Sequence, residues 1–335
     1  MSRLIPQPGI DLLKSYADVE VNEADVPLTA EELQRQAASS DGLVTLLTDR
    51  IDGAVLGSGE RLRIVANVAV GYDNIDVQAA TEQGIVVTNT PGVLTDTTAD
   101  FAWALLMSIG RRIVEGDRYL RQGRYTGWGI QLLLGGDIHG ATLGIVGMGR
   151  IGQGMAERAK GFNMRVLYYD EYRPPAEREA ELGVTFVDLD TLLSESDFVT
   201  IHTPLTPETH HLIDAAALDR MKSTAYLINT SRGPCVDEAA LAQGLRDGVI
   251  AGAALDVFEA EPEVQPELLD LENVILTPHI ASASVATRTR MATMAAENCI
   301  ESLEGRRPPN IVNPEVLDTE AFRQRSQSVA AIGGR

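Results

Sequence analysis

The sequence predicts an α/β protein whose parallel sheets are divided between two domains. Short apolar runs bounded by turn residues alternate with helical segments along most of the chain. One of these runs leads into a glycine-rich G-x-G-x-x-G stretch that a helical segment follows. The length, 335 residues, suits about two domains of ordinary size.

The composition is that of a soluble globular protein, with 44% hydrophobic and 23% charged residues. The sequence has no apolar run near the roughly 18 residues of a membrane span, and its start lacks the apolar stretch of a secretory signal. Cys235 and Cys299 are the only cysteines and show no pair spacing. We therefore expect no membrane association, no disulfide framework, no metal site and a cytoplasmic location.

The formal net charge is −20, and only three of the 28 basic residues are lysine: Lys14, Lys160 and Lys222. A negative field of this size repels nucleic acid and anionic lipid, so neither is expected as a partner. Salt adaptation and coding bias both remain open interpretations of the acidity. A melting temperature that rises with salt would favour the first.

Residues 1–95 predict a small parallel sheet, because a helical segment at 31–39 is interleaved with apolar runs at 43–47, 64–68 and 85–87. Asp96 and Thr97 are candidate N-caps for a long helix from about 98 to about 122. An apolar stripe at a spacing of four supports that helix, formed by Phe101, Leu105, Ile109 and Ile113.

The pattern then becomes a glycine-rich loop from Gly123 to Gly140 that carries Trp128. A loop of this length inside a compact domain is often functional. A second βα series starts at 143–146 and continues to His279, and a final helix is predicted at 284–303. Residues 315–335 are polar and unpatterned, so we expect them to be partly disordered.

The stretch Gly147-Met148-Gly149-Arg150-Ile151-Gly152 predicts a dinucleotide site, since it joins the strand at 143–146 to a helical segment at 151–160. Its glycines would allow the turn, the approach of backbone to pyrophosphate, and close packing of helix on strand. Free N–H groups at the helix start would bind the anion.

The following strand, 165–169, ends in Asp170, which is 18 residues beyond Gly152. A carboxylate there accepts hydrogen bonds from ribose hydroxyls and repels a 2′-phosphate. Glu171 adds negative charge, and Arg173 is expected to be a surface cation. The sequence therefore predicts NAD as cofactor, with NADH preferred over NADPH.

Three residues with useful chemistry follow predicted strands late in the chain: Arg232 after 225–228, Glu261 after 251–255 and His279 after 274–276. Ligands gather beyond the carboxyl ends of strands in open α/β sheets, so these side chains should face one crevice. They could hold an anionic carbonyl substrate and move a proton on it. Of the other histidines, adjacent His210 and His211 are expected to be solvated.

With these residues in place, the chain resembles the D-isomer-specific 2-hydroxyacid dehydrogenases, and within them the glyoxylate/hydroxypyruvate reductase branch. The likeness spans about residues 2 to 314 and includes the glycine turn and the three late stretches. Further matching motifs are Ala69-Val70-Gly71-Tyr72-Asp73-Asn74-Ile75-Asp76, Asn89-Thr90-Pro91-Gly92, Thr97-Thr98-Ala99-Asp100 and His202-Thr203-Pro204-Leu205.

The resemblance implies two doubly wound parallel-sheet domains with a cleft between them. Residues 1–95 plus 284–335 would form a flavodoxin-like substrate domain, and residues 96–283 a Rossmann nucleotide domain. It also implies a homodimer whose loop near 120–140 crosses to the neighbouring subunit, with Trp128 either near the partner's pocket or buried only at the interface. Residues 2–6 resemble the turn that follows the first strand of the substrate domain, so that strand is expected to be missing.

The resemblance also implies the site residues. Arg232, Glu261 and His279 would be catalytic, and Leu46, Val70 and Gly71 would join Arg232 and His279 in binding the substrate. Asp256 is either a nicotinamide-side ligand or a cap on its strand. The full set expected to contact the cofactor is Thr98, Gly147, Gly149, Arg150, Ile151, Gly152, Asp170, His202, Thr203, Pro204, Thr230, Ser231, Arg232, Asp256, His279 and Ala281.

Carbonyl reduction explains why these residue types are needed. Hydride transfer leaves negative charge on the carbonyl oxygen, and an imidazolium with a reference pKa of about 6.5 can supply the proton. Glu261 would orient His279 and favour its charged form, while the forked donors of Arg232 would bind the substrate carboxylate and polarise the carbonyl.

The leading hypothesis is thus NADH-linked reduction of glyoxylate or hydroxypyruvate to glycolate or D-glycerate. Two alternatives remain open: a dehydrogenase of another small D-2-hydroxy acid, and a non-catalytic NADH-sensing scaffold. The family's 3-phosphoglycerate enzymes carry a regulatory domain not seen here. Its formate enzymes have Gln in place of Glu261, and its phosphite enzymes have Lys in place of Val70, so these activities are disfavoured.

Overall fold

The computed structural model describes residues 1–325. The chain divides into two compact units, one formed by Met1–Leu94 with the segment from Ala283 onward and the other by Thr95–Ser282. Each unit contains a parallel sheet, so the predicted α/β class is confirmed.

The described residues form ten strands. In chain order they are β1 Gly42–Thr45, β2 Ile64–Asn67, β3 Val86–Thr88, β4 Thr142–Val146, β5 Arg165–Tyr169, β6 Val184–Phe186, β7 Phe198–Ile201, β8 Tyr226–Asn229, β9 Gly252–Leu255 and β10 Val274–Leu276.

The α-helices of the same residues flank these strands. They are α1 Gln7–Lys14, α2 Ala30–Ser39, α3 Gly53–Gly57, α4 Val77–Glu82, α5 Thr95–Gly110, α6 Ile113–Arg121, α7 Arg150–Lys160, α8 Ala176–Leu182, α9 Leu189–Glu195, α10 Ala215–Arg220, α11 Glu238–Asp247, α12 Pro266–Leu269 and α13 Val285–Leu303. None of the helices described is long and apolar enough to cross a membrane.

The sheet of the first unit has the order β1-β2-β3, with parallel pairing throughout. Its strands are apolar because both faces are covered. In β2, Ile64 lies in the core with α1 and α13, whereas Val65 lies in the core with α2 and α3. Ser2 donates its N–H to the Val44 carbonyl at 3.1 Å, beside β1.

The sheet of the second unit has the order β10-β9-β8-β7-β4-β5-β6, and every pairing is parallel. From β4 the chain builds outward to β6, then returns to the other side of β4 and continues from β7 to β10. The direction of winding therefore reverses between β4 and β7. Such a switch point leaves a crevice beyond the carboxyl ends of the strands, where ligands bind.

The prediction of a single long helix from about 98 to about 122 is wrong. The structure has two helices, because α5 begins at Thr95 and ends at Gly110, and Arg112 adopts a left-handed φ of +52° before α6. Gly136 donates its N–H to the Gly110 carbonyl at 2.9 Å and so takes an acceptor that a continuing helix would need. Ile113 consequently leaves the apolar stripe and is 54% exposed.

Two further regions differ from expectation. Strand β6 was not predicted, and it pairs with β5 at the edge of the sheet. Residues 315–325 were expected to be partly disordered, but Pro314–Asp318 is a 3-10 helix, residues 320–325 are helical, and the Val316 side chain is completely buried. The rest of the segment predicted as disordered, residues 326–335, lies outside the described residues.

Candidate active site

The glycine turn after β4 has the geometry of an anion-binding helix start. Gly147 has a φ of +97°, and a Cβ there would lie 2.7 Å from the His202 carbonyl carbon. A Cβ at Gly152 would overlap the Gly147 carbonyl oxygen, so helix and turn could not pack this closely with any other residue. Helix α7 follows from the N-cap Gly149, which supplies no side-chain cap to the first N–H groups.

The space around this turn fits a dinucleotide. A Cβ on Gly149 would meet no atom within 4 Å, so the approach to the uncapped N–H groups is open. At the ends of β7 and β8, His202 Nδ1 and Thr230 Oγ1 are buried without a hydrogen-bond partner among residues 1–325. Buried polar atoms rarely stay unpaired, and a polar ligand would satisfy them.

His202 is uncharged at physiological pH, because burial lowers its pKa to about 3. Its Nε2 lies 2.9 Å from the Thr200 hydroxyl. The neighbouring residues predicted to bind the cofactor are packed together, since the Ser231 hydroxyl donates to the Thr203 carbonyl. Thr98 is buried near the start of α5, and Ala281 is buried beyond β10. The structure brings these residues to the same unit as the glycine turn.

Asp170 lies just beyond β5 and is fixed by two backbone donors. The Met148 N–H, in the glycine turn, donates to Oδ2 at 2.6 Å, and the Tyr172 N–H donates to Oδ1 at 2.9 Å. The carboxylate is therefore anchored beside the glycine turn, where a ribose would be recognised. Arg173, expected to be a surface cation, is 54% exposed at its side chain but is paired with Glu179.

His279 and Glu261 form the predicted pair. His279 Nδ1 lies 2.9 Å from Glu261 Oε2, and the Phe258 N–H donates to Glu261 Oε1 at 3.0 Å. Burial acts to raise the pKa of Glu261, but the hydrogen bond and charge of His279, with smaller contributions from Phe258 and Arg232, outweigh it, so the pKa is lowered. The carboxylate thus stays ionised and can stabilise an imidazolium.

Asp256 builds the turn that carries His279. Its Oδ1 accepts from the Thr277 hydroxyl at 2.6 Å and from the Ile280 N–H at 2.9 Å, while Oδ2 accepts from the Ala281 N–H at 2.8 Å. His279 itself has a left-handed φ of +51°, a conformation that a non-glycine residue keeps only when its surroundings impose it. These contacts give Asp256 a positioning role that agrees with the expected strand cap.

The loop of Arg232 is shaped by one side chain from the end of β8. Asn229 Oδ1 accepts from the Ser231 N–H at 3.0 Å, and Asn229 Nδ2 donates to the Arg232 carbonyl at 2.9 Å. Arg232 Nη1 donates to the Ser231 carbonyl at 2.8 Å. Because the charge of Arg232 also lowers the pKa of Glu261, the guanidinium acts on the same site as the His279–Glu261 pair.

The loops that carry Arg232 and Glu261 are in backbone contact at Gly233. A Cβ there would overlap the Phe258 carbonyl group. We expect Gly233→Ala to lower the free energy of unfolding by about 1–3 kcal/mol, as over-packing does, and to reduce the melting temperature. Gly161→Ala is the control, since its Cβ would lie 3.5 Å from the nearest atom. Equal melting temperatures for the two variants would contradict the overlap.

Three asparagines that the sequence did not single out shape the predicted substrate loops of the first unit. Asn67 Nδ2 donates to the Gly71 carbonyl at 3.0 Å, Asn89 Nδ2 to the Val70 carbonyl at 2.7 Å, and Asn74 Nδ2 to the Leu46 carbonyl at 3.1 Å. These donors hold the three carbonyl groups and so fix the direction of the peptide planes.

Within residues 1–325, the N–H groups of Val70 and Gly71 donate no hydrogen bond. A pair of adjacent free N–H groups suits a carboxylate. Asn67 could have been noticed from the sequence, because it is a polar residue in an otherwise apolar run. In the structure it is fully buried.

The expectation that His211 is merely solvated is wrong. Its Nε2 lies 2.7 Å from Glu259 Oε1, and its ring stacks on that of His210 with centroids 4.1 Å apart. The Glu238 N–H also donates to Glu259 Oε1 at 3.2 Å. These contacts support the segment between Asp256 and Glu261. No group of three or more His, Cys, Asp or Glu within residues 1–325 could hold a metal ion.

Comparison with known proteins gives a consistent result. The sequence profile described as "D-isomer specific 2-hydroxyacid dehydrogenase, NAD binding domain" matches residues 103–281. A glyoxylate reductase of Korarchaeum cryptofilum is 54% identical over 320 residues, which are 95% of this chain and 96% of the relative. One of Thermococcus gammatolerans is 50% identical over 321 residues, with 95% and 96% covered.

Solved structures agree with these sequence relatives. The structure of a Thermus thermophilus protein matches with a TM-score of 0.88 and 45% identity, covering 93% of this chain and 98% of the other. An NADPH-dependent glyoxylate/hydroxypyruvate reductase from Sinorhizobium meliloti matches with a TM-score of 0.78 and 33% identity, covering 92% and 96%.

Proposed function

Because the chain belongs to the D-isomer-specific 2-hydroxyacid dehydrogenase family, we propose that it reduces glyoxylate or hydroxypyruvate to glycolate or D-glycerate with NADH. The observation that carries this proposal is the His279–Glu261 pair at 2.9 Å, in the same unit as the glycine turn and Arg232. Relatives at about half identity that are named glyoxylate reductases support the substrate class.

Each residue has a defined task in this reaction. NADH held at the glycine turn of residues 147–152 would supply a hydride to the carbonyl carbon. His279, whose Nδ1 faces Glu261, gives the proton on its other nitrogen to the carbonyl oxygen. Glu261 offsets the positive charge that His279 carries before the transfer. Arg232 binds the substrate carboxylate and stabilises the negative charge that develops on the oxygen. We assign carboxylate binding also to the N–H groups of Val70 and Gly71.

The substrate class is tested by following NADH absorbance with a panel of 2-oxo acids. We expect the highest kcat/KM with glyoxylate or hydroxypyruvate. A higher value with a larger 2-oxo acid would favour the dehydrogenase of another D-2-hydroxy acid. No oxidation with any acid, in a protein that binds NADH, would favour the NADH-sensing scaffold.

We propose that NADH is preferred over NADPH, because the anchored Asp170 carboxylate would repel a 2′-phosphate. The related Sinorhizobium meliloti enzyme is NADPH-dependent, so family membership does not decide between the two cofactors. The measurement is kcat/KM for each cofactor at saturating 2-oxo acid. Equal values would contradict the preference.

We also propose a homodimer formed through the segment between α6 and β4. This segment and α6 expose several large apolar side chains: Trp128 at 80%, Ile130 at 74%, Leu134 at 65% and Leu120 at 60%. Clustered exposed apolar residues mark interaction sites. The segment between α6 and β4 has only two charged residues, Arg124 and Asp137, so two copies of it can pack together without bringing many like charges close. A cytoplasmic location stays a prediction; Cys235 and Cys299 are both free and buried.

The dimer is tested with the double variant Trp128→Asp/Ile130→Asp, which places two charges in the proposed interface. Light scattering after size exclusion should give the mass of a dimer for the unaltered protein and of a monomer for the variant. Leu269→Asp is the control, because Leu269 is 62% exposed on α12 of the same unit. A monomeric unaltered protein, or a dimer in both variants, would contradict this assignment.

A further inference from the structure

Arg173 lies three residues beyond Asp170, and two of its guanidinium nitrogens pair with one carboxylate. Its Nε lies 3.0 Å from Glu179 Oε1, and its Nη2 lies 2.9 Å from both Glu179 oxygens. The guanidinium carbon is 4.6 Å from the centroid of the Phe186 ring, which is the range of a cation–π contact. Two of the three guanidinium nitrogens and one face of Arg173 are therefore occupied.

Glu179, on α8, is in turn held from the core of the sheet. It accepts a hydrogen bond from the hydroxyl of Tyr168, a residue of β5 that is completely buried. The Tyr168 ring meets the Phe186 ring edge-on with centroids 5.4 Å apart. The hydrogen bonds from Tyr168 and Arg173 lower the pKa of Glu179, so its carboxylate is ionised.

An arginine just after the second strand of a dinucleotide fold is the side chain that binds the 2′-phosphate of NADP. Arg173 occupies that part of the chain. In this structure its charge is paired with Glu179 and its Nε and Nη2 donors are used, although nothing in its position along the chain prevents phosphate binding. Asp170 repels a 2′-phosphate, and Glu179 removes the cation that would attract one.

We propose that Glu179 is a positioning residue that excludes NADP by holding Arg173 on the Phe186 ring, so that cofactor choice depends on Glu179 as well as on Asp170. This inference rests on the proposed NADH-dependent function. Arg173 is then a latent phosphate-binding residue, which the loss of one carboxylate on a different element would release.

The test is the affinity for NADP⁺ and NAD⁺, measured by calorimetry without substrate. The main variant is Glu179→Ala with Tyr168→Phe, because the second change leaves no buried hydroxyl without an acceptor. We expect its Kd for NADP⁺ to fall about tenfold, as for one added charged hydrogen bond, and its Kd for NAD⁺ to stay the same. Adding Arg173→Ala should abolish the gain.

Glu181→Ala is the matched control. Glu181 is on the same helix and pairs with Arg178 at 2.9 Å, so this change removes an equal charge without releasing Arg173. Equal gains in NADP⁺ affinity for both variants would overturn the proposal, because net charge alone would explain them. No gain for the Glu179 variant in a folded protein would also overturn it.

Glu179→Gln keeps the shape of the side chain and provides a second variant if the first does not fold; it should change the NADP⁺ affinity in the same direction.

Failure of this inference and failure of the proposed function are distinguishable. If the unaltered protein binds NAD⁺ and reduces glyoxylate but the Glu179 variants gain no affinity for NADP⁺, only the role of Glu179 is refuted. If the unaltered protein shows no NADH-dependent turnover, the proposed function is refuted.

Discussion

Replacement of His279 by alanine is expected to lower kcat for 2-oxo acid reduction by about 10²- to 10⁴-fold, the usual contribution of a positioned general acid. The physical reason is that the developing alkoxide would lose the proton donor that Glu261 orients at 2.9 Å. Steady-state turnover with glyoxylate measures kcat, and fluorescence titration measures NADH affinity. The affinity should change far less than kcat. Near-normal turnover would show that His279 is not the donor.

Glu261→Gln separates the charge of this pair from its geometry. The lowered pKa of Glu261 shows that the folded state favours the ionised carboxylate. The stability from this pair is therefore present above the ordinary range of a Glu carboxyl and is lost as pH falls through the lowered pKa. Reduction needs a protonated donor, so the rate should fall as pH rises. With the neutral amide in place of Glu261, the protonated donor would lose the carboxylate that lies 2.9 Å from it, so kcat at a fixed neutral pH should fall.

Replacement of Arg232 by alanine is expected to lower kcat/KM for the 2-oxo acid by about 10²- to 10³-fold, the effect of removing one donor to a developing oxyanion. We expect KM to rise, because the guanidinium would bind the substrate carboxylate in the ground state. We expect kcat to fall, because the guanidinium would also bind the oxygen in the transition state. A rise in KM alone would mean that Arg232 binds the substrate without assisting the reaction.

Arg232→Lys is the control for charge. Lysine keeps the positive charge but lacks the planar fork, so we expect only partial recovery of kcat/KM. Melting temperatures are needed for both variants, since the backbone and side chain of Arg232 are tied to Asn229 and Ser231. Full activity in the alanine variant would contradict the assignment.

The strands were predictable because parallel strands buried on both faces are short continuous apolar runs. The predicted range 165–169 agrees with β5, as does 274–276 with β10. Helix α5 was predicted too long, since its end depends on the Gly136 N–H, which lies 26 residues away along the chain from Gly110. Strand β6 escaped prediction because it is not a continuous apolar run: Thr185 separates Val184 from Phe186, and none of the three residues is buried.

The contact between His279 and Glu261 was predictable from residue type and position at strand ends, because parallel topology alone brings such positions to one edge. The supporting contacts were not. Asn89 donates to the Val70 carbonyl, and Glu179 accepts from Arg173. Both contacts depend on side-chain directions that no local sequence pattern encodes. Residues 315–325 were misjudged for a similar reason, since the apolar pair Val316 and Leu317 is too short to indicate an element and only tertiary packing buries Val316.

The neutrality of His202 allows two acid–base effects to be measured apart. With a pKa near 3, this imidazole contributes no titrating charge beside the glycine turn during any assay at ordinary pH. His202 would therefore add no pH dependence to cofactor binding. A pH series can then follow the fall in the rate of reduction, while the part of the NADH affinity that depends on His202 stays level.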